Sequence, residues 1–207
     1  MEKPFWIACA GNALVGKDLF FNLLQKELFF IKKTSLREAF ADILKEELKS
    51  FIFEKTGRNI NNRDPEFKKI IRPILVEWGL FRRKLSNNRY FIDKVNEKIN
   101  VYNRTQFPDF VIITDLRYCE TENDELSFIK KEKKGIVVYI DKYYNHSDGK
   151  QFVIPANEHE LRNNPILKKN ADYLIEWKHC YGDKGEIDKE LVPKIKSFTN
   201  WLLEKYE

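Results

Sequence analysis

The stretch Phe5-Trp6-Ile7-Ala8-Cys9-Ala10-Gly11-Asn12-Ala13-Leu14-Val15-Gly16-Lys17-Asp18 decides how the rest of the chain is read. Its first six residues are nearly all apolar, which suits a short strand buried on both faces, as in a parallel sheet. After Lys17 the apolar residues Leu19, Phe20, Leu23 and Leu24 recur at helical spacing, so a glycine-bounded loop joins strand to helix. Gly11 to Lys17 meets the pattern G-x-x-x-x-G-K in the context that pattern requires. Successive backbone N–H groups of such a loop wrap a phosphate, the helix N-terminus adds positive dipole, and Lys17 adds a full charge. The competing use is a plain strand-to-helix turn with a solvent-facing lysine. Asp18 replaces the usual Ser or Thr; its carboxylate can hold Mg²⁺ directly or through water, or simply favour the positive helix end.

Outward from this unit, strands and helices alternate. Leu28 to Ile31 reads as a second strand, followed by a helix capped by Ser35, with Glu38 completing a capping box. That helix carries Phe40, Ile43, Leu44, Leu48 and Phe51 and stops near Gly57. Asn59 to Arg63 is turn-prone, and Asp64-Pro65 reads as an N-cap followed by proline at the first helical position. Helices follow through Phe67, Ile70, Ile71, Leu75 and Trp78, bending near Pro73, and through Phe91, Val95 and Ile99. Phe110 to Thr114 is a buried strand ending at Asp115, then come an acidic helix through Leu126 and Ile129 and strands at 136–140 and 173–175. A closing helix carries Leu191, Ile195, Phe198, Leu202 and Leu203. The alternation predicts a three-layer α/β domain with a mainly parallel sheet.

Composition narrows the classes. The 207 residues include 37 Lys plus Arg against 32 Asp plus Glu, a formal charge of +5, with 43% hydrophobic and 14% aromatic residues. That is enough apolar material for a substantial core, which excludes disorder as a description of the whole. Basic residues alternate with acidic ones, as at Lys130-Lys131-Glu132-Lys133-Lys134, so no stable nucleic-acid partner is expected. Cys9, Cys119 and Cys180 are far apart and lack C-x-x-C spacing, and His146 and His179 lie at no ligand-like spacing to them; neither a disulfide framework nor a zinc site is expected. The apolar runs are too short to span a membrane, and Met1-Glu2-Lys3-Pro4 leads into no signal peptide, so the expectation is a soluble cytoplasmic protein.

Asp115 sits where a P-loop fold places a second acidic group near the metal, although a strand-end Asp also serves as an ordinary N-cap. Arg117 can reach an anionic substrate or pair with a nearby carboxylate. Trp177 can stack on a base, but core packing is the simpler use, as it is for Tyr139, Tyr143 and Tyr144. His159 reads as a segment-anchoring residue rather than a general base.

Four features together carry a resemblance: Gly11 to Asp18 in the G-x-x-x-x-G-K-D form, Trp78-Gly79 followed by Arg82-Arg83, Thr114-Asp115-Leu116-Arg117, and Glu158-His159-Glu160 before a final strand. In order and spacing, over nearly the whole chain, they resemble the bacteriophage-type deoxynucleoside monophosphate kinases. Animal phosphomevalonate kinases are similar in the same places. The resemblance implies a P-loop NTPase fold of the nucleoside-monophosphate-kinase kind, one domain over 1–207 with a five-stranded sheet, a helical acceptor-binding region at about 35–105 and a closing segment at about 143–165. It implies ATP and Mg²⁺ as cofactors, a deoxynucleoside monophosphate as acceptor, and suggests a homodimer. ATP would contact Gly11, Asn12, Ala13, Leu14, Val15, Gly16, Lys17, Asp18, Leu19 and, from the closing segment, Arg162. The acceptor would meet Arg37, Arg72, Trp78, Arg82, Arg83, Asp115 and Arg117; Asp18 and Asp115 would serve the metal, and Lys17, Arg82 and Arg117 the transfer. The chain departs from the family at Leu19, where Thr is common, and at His159-Glu160-Leu161-Arg162, which lacks the serine of a His-x-Ser-Glu pattern. Alternatives are a phosphomevalonate-kinase-like enzyme and a nucleotide-binding protein without turnover.

Overall fold

The computed structural model describes residues 4–62, 64–102, 107–181 and 184–206. Met1 to Lys3, Arg63 and positions 103–105 of the expected helical region lie outside the described residues. The chain divides into two compact units, Met1–Arg37 with Gln106–Glu207, and Glu38–Thr105.

The first unit is built on a six-stranded sheet. β1 (Phe5–Ala10) lies between β3 (Phe110–Ile113) and β4 (Ile136–His146) and is parallel to both, while β2 (Ser35–Glu38) borders β3. β6 (Tyr173–Lys178) runs parallel to β4, and β5 (Gly149–Phe152) pairs with it antiparallel. Val138 and Tyr139 pair with both β1 and β6, and Tyr143 with both β5 and β6. The β5 hairpin therefore lies on the β1 side of β4, beyond the point where β1 ends. This antiparallel strand is one more than the sequence predicts; the mainly parallel sheet stands.

Strand residues alternate between two helical layers, as the pleat demands. Ile7, Cys9, Ile112, Val138 and Ile140 face a core shared with α1 (Lys17–Phe30) and α7 (Lys184–Tyr206), through Phe20, Leu24, Leu28, Leu191, Ile195, Phe198 and Leu202. On the other face Trp6 meets Phe128 edge to face, with ring centroids 5.3 Å apart. That layer holds a single turn, α5 (Glu125–Ser127), running into a π-helical turn (Phe128–Glu132), and α6 (Glu158–Lys169). The result is a three-layer P-loop NTPase fold. Among the described residues no helix is long and apolar enough to cross a membrane.

Three expectations are corrected. Leu28 to Phe30 do not form a strand: Phe20, Leu24 and Leu28 are spaced by four on the buried face of α1, which keeps the helix going, while Phe29 and Phe30 are 77% and 78% exposed. Ser35 caps no helix but opens β2, and α2 (Phe40–Thr56) starts after Ala39. The acidic helix before Gly135 is shorter than expected and ends as the π-helical turn, with Gly135 N–H bonded to the Ile129 carbonyl at 2.8 Å.

The second unit comprises α2, α3 (Pro65–Leu85) and α4 (Tyr90–Tyr102). Leu48, Ile52, Ile60, Phe67 and Ile71 form its core, and the Asp64 side chain accepts from Glu66 N–H at 3.0 Å, capping α3 ahead of Pro65.

Candidate functional site

Two glycines make the loop between β1 and α1 possible. Gly11 has φ 131°, and a Cβ there would sit 2.2 Å from the Ile140 carbonyl oxygen of β4. Gly16 has φ 98°, and its Cβ would lie 2.9 Å from the Trp177 ring. Side chains rarely adopt either conformation, and at both places the neighbour leaves no room. Trp177 itself is buried, and its indole N–H donates to the Val15 carbonyl at 2.8 Å. It is a floor beneath the loop and not an exposed stacking surface.

Lys17 folds back over the loop, its Nζ donating to the carbonyls of Gly11 and Asn12 at 2.7 Å each. Burial, and after it the Arg117 charge, push its pKa down to about 8; Glu160 and Asp115 act in the opposite direction. The ammonium thus stays mainly protonated near neutral pH. Beneath the loop, burial pushes the Cys9 thiol up to about 12, so it is no nucleophile.

The neighbouring strand brings the next groups. Leu116 N–H donates to the Cys9 carbonyl at 3.0 Å, which ties the Asp115-Leu116-Arg117 turn at the end of β3 to the end of β1. Asp115 is buried, and the Arg117 side chain is 46% exposed, its Nη1 3.8 Å from Glu160 Oε1. Arg37, on β2, donates from Nη2 to Asp18 Oδ1 at 3.1 Å. Lys17 and Asp18 therefore follow from the carboxyl end of β1 and Asp115 and Arg117 from that of β3, the edge at which open α/β sheets take ligands, and Arg37 reaches Asp18 from within β2. Leu19 is partly buried in the α1 core, without a polar group to offer.

Several contacts to this loop come from residues to which the motifs assign no role. Asn12 Nδ2 donates to the Val153 carbonyl at 2.5 Å, Asn164 Nδ2 to Asn12 Oδ1 at 2.5 Å, and Lys142 Nζ to the Leu14 carbonyl at 2.6 Å. Ala13 N–H donates to Glu160 Oε2 at 3.1 Å. Leu14, at the loop tip, is 86% exposed with φ 66°. In the 143–165 stretch, Arg162 is exposed, 3.2 Å from His159 Nδ1 and 4.0 Å from Glu120 Oε1.

Arg72, Trp78, Arg82 and Arg83 belong to the second unit. Arg72 is exposed. Glu47 on α2 accepts from Trp78 Nε1 at 2.7 Å, from Arg82 at 3.2 and 3.3 Å, and from the Tyr90 hydroxyl. The Arg82 guanidinium also lies 5.0 Å from the Trp78 ring and 4.5 Å from that of Tyr90. Arg83 is buried against Phe91.

Among the described residues no group of three or more His, Cys, Asp or Glu side chains is arranged to hold a metal ion. Mg²⁺ needs only one or two carboxylates when substrate phosphates complete its shell, and Asp18 and Asp115 are the pair at the loop that fits this chemistry.

The chain matches no protein-family model and no curated protein. Among solved structures it is similar to shikimate kinase from Bacteroides thetaiotaomicron, with 14% identity, 96% of this chain and 98% of that chain covered, and a TM-score of 0.43. It is also similar to TT1252 from Thermus thermophilus, with 13% identity, 95% and 98% covered, and a TM-score of 0.40. At such scores neither likeness decides what the chain does.

Proposed function

We propose that the chain is an ATP-dependent small-molecule kinase that transfers the terminal phosphoryl group of Mg²⁺-ATP to a deoxynucleoside monophosphate, giving the diphosphate. The observation that carries this reading is the 3.0 Å hydrogen bond from Leu116 N–H to the Cys9 carbonyl, which joins the Asp115–Arg117 turn to the strand that opens the phosphate loop. It brings together a loop suited to ATP phosphates, a lysine folded over that loop, and an exposed arginine suited to a second anion. An acceptor that is already a phosphate anion at neutral pH needs no strong general base, so positioning and charge neutralisation suffice for in-line transfer. Mg²⁺, when bound, would neutralise charge on the ATP phosphates. Lys17 would stabilise the negative charge on the phosphate oxygens as the phosphoryl group transfers, and Arg117 would orient the acceptor or the group in transit. The deoxynucleotide acceptor comes from the resemblance to the bacteriophage-type kinases; phosphomevalonate kinases are similar at the same motifs, so phosphomevalonate is the alternative acceptor.

The test is incubation of purified protein with Mg²⁺-ATP and a panel of deoxynucleoside and ribonucleoside monophosphates and phosphomevalonate, with ADP and phosphorylated acceptor resolved together by mass spectrometry. A deoxynucleoside diphosphate is expected. Lys17→Ala, folded as judged by circular dichroism, should lower transfer by at least about a thousandfold, on the scale of losing a preorganised charge at the transition state. A folded Lys17→Ala variant with undiminished transfer sinks the assignment.

A further inference from the structure

Glu160 enters the sequence reading only within Glu158-His159-Glu160-Leu161-Arg162, with no role of its own, yet its carboxylate touches three parts of the site. Oε2 accepts from two backbone N–H groups, Ala13 within the loop at 3.1 Å and Ala156 ahead of α6 at 3.0 Å. Oε1 stands 3.8 Å from Nη1 of Arg117. The Glu160 side chain is 6% exposed and that of Arg117 46%, so the carboxylate is the fixed partner and the guanidinium the one with room to move.

The surroundings hold both residues in place. Glu125 Oε2 accepts from Arg117 N–H at 2.8 Å and from Tyr118 N–H at 3.2 Å, which fixes the backbone from which Arg117 projects. α6 is anchored just beyond Glu160, where Asn163 Oδ1 accepts from Cys119 N–H at 3.0 Å and Asn164 Nδ2 donates to Asn12 Oδ1 at 2.5 Å. A buried charge is costly to desolvate, and the carbonyl oxygen of a glutamine could accept the same two backbone bonds at lower cost. What only the charge of the carboxylate supplies is attraction for Arg117 at close range, together with support for the protonated form of Lys17.

We propose that Glu160 is a positioning residue for phosphoryl transfer: it holds the Arg117 guanidinium beside the phosphate loop, where a transferring phosphate would meet it. This rests on the kinase reading above. Arg117 exchanges a carboxylate for a phosphate over a short distance, while Glu160 stays bonded to the loop and to the start of α6.

Two substitutions separate the two oxygens. Glu160→Gln keeps an acceptor for Ala13 and Ala156 N–H and removes the charge; Glu160→Ala removes both. With an acceptor that the wild-type chain phosphorylates, Glu160→Gln should lower kcat between about tenfold and a hundredfold and leave KM for ATP within about twofold, the pattern of a misplaced transition-state group. Combined with Arg117→Gln it should cost little more than Arg117→Gln alone, because the main loss in both runs through one guanidinium. Glu160→Ala should in addition raise KM for ATP, since the loop is untied. Should Glu160→Gln fail to fold, Glu160→Asp keeps the charge but withdraws it by one methylene, and a lowered kcat with unchanged KM is again expected. Wild-type kcat in a folded Gln or Asp variant, or additive losses in the double variant, overturns the role of Glu160 and leaves the kinase reading intact. A wild-type chain that phosphorylates no acceptor overturns the kinase reading and this role with it.

Discussion

Gly11 shows what a single residue contributes to this site. A methyl group there would meet the Ile140 carbonyl oxygen at 2.2 Å in a backbone conformation, φ 131°, that L-residues rarely adopt. Neither the β4 backbone nor the loop can yield without disturbing the contacts that hold the loop, such as the Lys17 ammonium on the Gly11 and Asn12 carbonyls. Gly11→Ala should therefore cost about 2–5 kcal/mol, combining left-handed strain with overpacking, and weaken nucleotide binding. Urea denaturation and ATP titration check the two parts. This glycine was legible in the sequence because the loop pattern is local: strand, spacing and helix all lie within one short segment. Trp177 was legible only as a choice between core and base stacking, since nothing local says that its indole donates to Val15, far away in the chain. Glu160 stood inside the motif Glu158-His159-Glu160, but its own role in the site was not legible. Its partners Ala13, Ala156 and Arg117 act through two backbone N–H groups and an ion pair, and backbone groups leave no mark on residue identity.

At the scale of elements, α6 explains most of what the sequence hid. Its buried residues are Glu160, Asn163, Asn164 and Leu167, spaced at i, i+3, i+4 and i+7 as on any amphipathic helix, but three of the four are polar. A search for apolar periodicity passes over such a helix. The available signal was at its start, where Asn157 accepts from Glu160 N–H at 2.9 Å in an N-x-x-E arrangement. The same scale governs the second unit, where Glu47 of α2 joins α3 and α4 by accepting from Trp78, Arg82 and Tyr90. Burial pushes the Glu47 carboxyl up, but the bonds from Tyr90, Trp78 and Arg82 together outweigh it and hold the pKa below the usual range. The same bond raises that of the Tyr90 hydroxyl. A depressed folded-state value means that this stabilisation is fully present above the unfolded carboxyl pKa of about 4.3 and is lost as pH falls through the folded value. Acid unfolding followed by far-UV circular dichroism should show that loss below about pH 4. Glu47→Gln should flatten the pH dependence in that window, and Glu47→Ala should cost about 1–2 kcal/mol near neutrality by leaving the hydrogen-bond donors of α3 and α4 without their acceptor. An unchanged acid profile in the Gln variant would remove Glu47 as its source.

For the whole molecule, the sheet order decides where binding energy enters. β1 lies between β3 and β4, so the loop leaving its carboxyl end is flanked by the Asp115–Arg117 turn on one side and by the β4–β5 hairpin on the other. Every contact described for the loop, from Trp177 beneath it to Glu160 and Asn164, lies within the first unit. ATP bound there should stabilise the first unit by linkage. At a hundred times its Kd the gain is about 2.7 kcal/mol. For a chain of this size that is a rise in Tm of roughly 5–10 °C, at about 2–4 °C per kcal/mol. The four tryptophans are Trp6, Trp78, Trp177 and Trp201, and Trp78 is the one in the second unit, so Trp78→Phe leaves an emission signal confined to the first. Thermal unfolding of that variant should shift upward with Mg²⁺-ATP by the stated amount, whether the two units melt together or apart. With Lys17→Ala added, the shift should vanish, because the ammonium that the loop carbonyls now hold is the one full positive charge the loop itself could contribute to binding phosphate. An unshifted Tm with Lys17 present would mean that the loop binds no nucleotide. A shift that survives Lys17→Ala would move the phosphate-binding energy from that side chain to the backbone N–H groups and the helix end.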